Sequence, residues 1–258
     1  MALFNDGPIS GIGDLLNYET SILDVASTEG IDTATKLGLA QDEIAADLLT
    51  FLLQREGGLW RGMPGGSRRR KLGVGDVVVT APLKRWHTLR TLAMIFHDAY
   101  DNQLNDRYQG KWQSYDQLQT NAEAVYLRLG VGMVPIPAPK PAPPGVSTTA
   151  GSSVAGTYYF ASSWVTSNGE EGLCSDPATV ALSSTIRAVV SSGAAPGGIT
   201  GWNLYAGTEP DAFALQNSMP LALGETWVQS VALAPGPPPG IGQLPSCWAV
   251  DDHQLRRG

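Results

Sequence analysis

The chain has 258 residues, 43% of them hydrophobic, and a formal net charge of −7. Enough apolar side chain is present to build a core, which excludes global disorder. The acidic balance argues against a protein that grips duplex nucleic acid by neutralising phosphates. Thirty Gly and 18 Pro point to many turns and a spacer.

Met1 to Asp6 lack a basic run followed by an apolar stretch, so no signal peptide is expected. No segment approaches about 18 uncharged apolar residues, so no membrane span is expected. A reducing cytoplasm is the expected place of synthesis.

The first half reads as helical. Leu15, Leu16, Ile22 and Leu23 make an apolar stripe ahead of Gly30, which suits a helix C-terminus. A second helix is predicted from about Thr33 to Arg55, with Leu37, Ile44, Leu48, Phe51 and Leu52 at helical spacing. Residues 57–81 follow as a long loop, with a basic run Arg68-Arg69-Arg70-Lys71 and a short strand or β-arm at Val77–Val79. A third helix starts at Pro82, a residue favoured in the first turn, and carries Trp86, Leu89, Leu92, Ala93, Phe96 and Tyr100. The fourth is predicted from Ser114, where Gln117 completes a capping-box spacing. It shows Leu118, Ala122, Val125 and Leu129 and stops at Gly130.

Residues 135–145 are dominated by proline, and read as a semi-rigid spacer of about 3 Å per residue. This gives a predicted division into a helical domain 1–134, a linker 135–145 and a β domain 146–258. In the last part, Thr157–Thr166 is aromatic and β-favouring and runs into Asn168-Gly169, a strong hairpin signal. Further strands are predicted at Ala178–Leu182, Ile186–Val190, Gly201–Tyr205 and Glu225–Val231. Short strands broken by Gly, Pro and Ser indicate an antiparallel β-sandwich. The expected fold class is therefore a helical bundle of about four helices followed by an all-β sandwich.

No catalytic, cofactor or metal site is expected. His87 and His97 are ten residues apart on one helix and do not share a face. His97 and Asp101 are spaced i,i+4, but two ligands do not make a metal site. Gly65-Gly66-Ser67 lacks the Gly-Lys-Ser/Thr of a phosphate loop. Three readings are open for Arg68, Arg69, Arg70 and Lys71. They are a solvated loop, a pairing surface for an acidic neighbour such as Asp42, Glu43 and Asp47, or a transient DNA contact. Trp164, Trp202 and Trp227, with Trp248, are either a stacking platform for sugars or core and edge packing. Cys174 and Cys247 are too few for a four-thiolate zinc site and are expected as free thiols. Their pairing is not decided by sequence.

Two stretches resemble a known module. Gly156-Thr157-Tyr158-Tyr159-Phe160 with the turn Asn168-Gly169-Glu170-Glu171-Gly172 is one. Gly201-Trp202-Asn203-Leu204-Tyr205-Ala206-Gly207-Thr208 is the other. Both are similar to the fibronectin-III/immunoglobulin-like modules of tailed-phage structural proteins, over about residues 146–240. Ala206 stands where those modules often carry Arg. The helical half resembles phage head–tail connector (adaptor) proteins. The carrying features are a first helix near Asn17-Tyr18-Glu19, the acidic helix Gln41–Leu48, Leu83-Lys84-Arg85-Trp86-His87-Thr88-Leu89, and Ala99–Leu104 before a final helix.

The resemblance implies a virion structural protein rather than an enzyme. It would be one subunit of a homo-oligomeric ring at the neck, with portal symmetry and most simply twelve copies. Portal and tail or neck proteins would be its partners, and double-stranded DNA would pass through without specific binding. The Ig-like domain would decorate the outside. The alternative is a tail or fibre-associated protein whose β domain engages host surface glycans through Trp164, Trp202 and Trp227.

Overall fold

The structure is a computed structural model that describes residues 1–54, 73–103 and 106–250. The described residues form five α-helices in the N-terminal half and an antiparallel β region in the C-terminal half. The chain forms two compact units. A helical unit takes residues 7–133 and the segment from 245 onward, and a β unit takes 1–6 and 134–244. This departs from the predicted division at both ends of the chain and at the spacer.

In the helical unit, α1 is Ile12–Leu16, α2 Ile22–Glu29, α3 Thr33–Leu53, α4 Ala81–Gln103 and α5 Asp106–Leu129. The first predicted stripe is thus two helices. Gly30 ends α2 in the left-handed region at φ +67, and the Ile31 amide reaches back to the Ala26 carbonyl. The Asp32 side chain caps α3 by accepting from the Ala34 amide at 3.0 Å. α4 is the centre of the unit. Leu83, Trp86, His87, Leu89, Leu92, Ile95, Phe96 and Ala99 are buried, so it is covered on most of its circumference.

α5 begins eight residues before the predicted Ser114. Its buried face is Tyr108, Tyr115, Ala122 and Tyr126, and Leu118, Val125 and Leu129 are exposed. The tyrosine rings decide this. Tyr115 stacks on Phe96 with centroids 5.5 Å apart, and Tyr126 packs against Trp86 at 5.9 Å. Tyr108 donates to Glu29 and Tyr115 to Glu19, which tie α5 to α2 and to the turn after α1. Past Gly130, β1 (Val131–Met133) pairs with β10 (Cys247–Ala249), and Val77 and Val78 bond to its other edge. The expected short strand at 77–79 is therefore a bridge of two residues.

The β unit holds two antiparallel sheets. One has the order β2-β5-β9, with β2 Gly145–Ala150, β5 Ile186–Ser191 and β9 Thr226–Val228. The other runs β4-β3-β6-β7, with β3 Gly156–Thr166, β4 Ala178–Leu182, β6 Ile199–Glu209 and β7 Ala212–Leu215. β8 (Leu221–Ala222) also pairs with β6. Tyr158, Phe160 and Trp164 of β3 and Trp202, Leu204 and Ala206 of β6 share one core cluster with Ala188 and Val190 of β5. Strand alternation accounts for that selection. The Asn168-Gly169 turn is present, with Gly169 at φ +79. Ala206 is buried, which leaves no room there for an arginine.

The proline-rich run belongs to the β unit. Ala138 is fully buried in its core. Gln243 straps the run: its Oε1 accepts from the Ala138 amide at 2.6 Å, and its Nε2 donates to the Ile136 carbonyl and to Glu170. Lys140 adds an ion pair to Asp176, and its amide donates to Asp6. The N-terminal segment is held likewise, with Leu3 and Phe4 buried. The expected spacer is thus a packed edge, because buried apolar atoms and satisfied amides hold it in place.

Gly207 sits at the bulge where β6 meets β7. A Cβ there would lie 1.9 Å from the Ala212 carbonyl oxygen. Gly207→Ala is expected to destabilise the β unit by about 1–3 kcal/mol, the usual range for overpacking. Chemical denaturation against the unsubstituted chain checks this.

Candidate functional site

The helical unit carries a groove of about 360 Å³ between α3, α4 and α5. α3 supplies Lys36, Leu39 and Glu43; α4 supplies Arg90, Ala93, Met94, His97 and Asp98; α5 supplies Trp112, Asp116 and Gln119. The α4 residues recur at three and four positions, so one open stripe of an otherwise buried helix forms the floor.

Charges in the groove are mostly paired. Lys36 is ion-paired to Asp98. Arg90 reaches Glu43 at 2.8 Å and Asp47 at 2.6 Å, and its guanidinium lies 5.9 Å from the Trp86 ring centre. Glu43 and Asp47, predicted as an acidic face for a neighbouring subunit, are therefore held within their own chain. Asp42 is exposed on α3. Nearby Glu123 has its carboxyl pushed above the usual range by burial and then by the negative charge of Asp47.

The two helix histidines are separated as expected, but their environments differ. His97 lies 3.5 Å from Asp101 and meets Trp112 edge-on at 4.6 Å. His87 is completely buried. Its Nδ1 is 2.6 Å from the Ser10 hydroxyl and its Nε2 3.0 Å from the Leu37 carbonyl. A carbonyl can only accept, so Nε2 carries the proton and Nδ1 accepts from Ser10. Burial lowers the His87 pKa from its ordinary value. It is a neutral structural histidine tying α4 to α3 and to the segment before α1. Among the described residues, no group of three His, Cys, Asp or Glu side chains could hold a metal ion.

Two of the tryptophans proposed as a sugar platform, Trp164 and Trp202, are core residues, 4% and 0% exposed, because β3 and β6 alternate with those positions inward. Trp227, on β9, is partly buried against that core, with its ring 6.1 Å from Phe160. Trp248 is half exposed, but on β10 of the helical unit. The outer half of β3 instead supports a polar cluster that sequence reasoning missed. Glu171 accepts from Tyr205 at 2.7 Å and from Ser163. Cys174, next to this cluster, has its thiol pushed up to about 12 by burial and the Glu171 charge. Burial raises Cys247 as well. Both are free thiols, and at neutral pH neither has the thiolate character of a nucleophile.

Arg68, Arg69, Arg70 and Lys71 lie outside the described residues. Among the described residues no helix is long and apolar enough to cross a membrane. The chain matches no protein-family model, and no curated protein sequence matches it.

Proposed function

We propose that this chain is a non-enzymatic structural subunit of a tailed-phage neck, a connector that assembles as a ring between portal and tail. The observation that carries the reading is the apolar stripe left open on α5, where Leu118, Val125 and Leu129 are 39%, 40% and 59% exposed. Leu39, Leu49 and Leu53 of α3 are similarly exposed. An aliphatic stripe along one helix face is the kind of surface that a protomer buries against its neighbours. The net charge of −7 suits a conduit that repels phosphate rather than holding it.

In this reading the β unit is an Ig-like sandwich. Its support is that the two motif stretches are direct neighbours, with Phe160 opposite Ala206 and Trp164 opposite Trp202. The sheets carrying β3–β6 and β5 also contribute to one core cluster. For the glycan-binding alternative, Trp164 and Trp202 are buried and Trp227 is partly exposed.

The test is gold-labelled Fab against the β unit of the full chain on intact virions, viewed by negative-stain electron microscopy. Label at the head–tail junction is expected. Label at the tail tip or fibres, or on no particle, would overturn the connector assignment.

A further inference from the structure

We propose that the groove between α3, α4 and α5 is a docking site for an arginine side chain presented by a partner chain. The argument starts from the charges left over. Lys36 is engaged by Asp98, and Arg90 by Glu43 and Asp47. Asp116 has no cationic partner among the described residues; it accepts one long bond, 3.3 Å, from the Gln119 amide. Asp116 is an exposed carboxylate with no described cation beside it, on the wall of a groove whose two cations are already paired, and this favours an incoming positive charge.

The walls narrow the choice of cation. Trp112 is fixed by stacking on Tyr100, with centroids 5.8 Å apart, and by the edge contact with His97. It gives the groove an aromatic side, with Leu39 and Met94 as aliphatic neighbours. A guanidinium suits this set. It is planar, stacks on aromatic faces and offers several N–H donors in one fork, while its methylenes suit the aliphatic part. A lysine ammonium supplies a strongly hydrated point charge in its place. The groove volume, about 360 Å³, is enough for one such side chain with part of its backbone. Free arginine fits less well, because its own carboxylate would face Glu43, Asp98 and Asp116. An arginine within a chain carries no such charge.

The test uses the full chain, titrated at low salt into a fluorescein-labelled peptide, Gly-Ser-Arg-Arg-Gly, with anisotropy as readout. Saturable binding is expected, weakened about tenfold or more by Asp116→Asn, as for loss of a charge-assisted hydrogen bond. It should be unchanged by Asp211→Asn, an exposed carboxylate of the β unit. Circular dichroism of both variants controls for folding. The lysine counterpart of the peptide should bind several-fold more weakly. Equal loss in both variants, equal binding of the lysine peptide, displacement by spermidine at matching concentration, or no saturable binding would each overturn the proposal. Self-association in sedimentation that Asp116→Asn weakens would support it and identify the partner as a second copy.

Discussion

Trp202→Ala is expected to destabilise the β unit by about 3–5 kcal/mol, the range for deleting a buried large aromatic. Trp202 is fully buried, stands opposite Trp164 across the β3–β6 pair, and belongs to the cluster that draws on both sheets. Its loss removes ring contacts and leaves a cavity that the paired strands, fixed by their ladder, cannot close. The indole Nε1 also donates to the Ala222 carbonyl at 3.2 Å, which holds β8 beside β6. Trp202→Phe keeps most of the ring and loses that bond, so about 1–2 kcal/mol is expected. Urea denaturation followed by far-ultraviolet circular dichroism reads both. With two units in the chain, a single two-state fit is not assumed, and the transition that moves is assigned to the β unit. A shift below about 1 kcal/mol for the alanine variant would show that this position is not central to the core.

The second large effect lies at His87. His87→Leu keeps the volume roughly but strands the Ser10 hydroxyl in the interior, while the Leu37 carbonyl loses its second bond and keeps its intrahelical one. An unmet buried group costs about 1–3 kcal/mol, so a loss in that range from the helical unit is expected. The same residue should make that unit acid-sensitive. The folded-state pKa is depressed from 6.5 by burial. Between the folded and unfolded values the unfolded chain binds the extra proton, so stability rises with pH there. The His87 contribution is whole above pH 6.5 and falls as pH drops toward the folded-state pKa. Urea midpoints between about pH 7.5 and 5.5 should decline for the parent chain and decline less for His87→Leu. Parallel curves would place the proton elsewhere.

Element type was legible wherever local chemistry was decisive. The β3 strand and its Asn168-Gly169 turn, the α3 start at Thr33 behind Asp32, and the stops at Gly30 and Gly130 follow from β-propensity, capping and left-handed glycines. Partners were less legible. The period of α5 fits two stripes, one aliphatic and one tyrosine, and composition favours the aliphatic one. Its burial is settled by the rings of Phe96 and Trp86 on α4, far away in sequence. The charged acceptors on α3 were visible, but the Arg90 that occupies two of them was not, because ion pairing across helices has no local signature. The strap at Gln243 was invisible for a similar reason. A single glutamine far from the prolines gives no hint that its amide satisfies them.

The interleaved course of the chain has a consequence for biosynthesis. Met1–Asp6 and Val134–Leu244 make one unit, and Gly7–Met133 is completed by the segment from Pro245 onward. A ribosome adds about 5–20 residues per second, and separate domains usually fold in the order they emerge. Here Leu3 and Phe4 leave the exit tunnel long before residues 134–244, the rest of the unit in which they are buried, and β1 waits for β10 until the β unit has been translated. Nascent chains stalled after residue 134 should therefore hold their helices without the final pairing of β1. A premature stop between residues 134 and 244 therefore leaves neither unit complete, whereas one just past Leu244 spares the β unit and costs the helical unit its last strand.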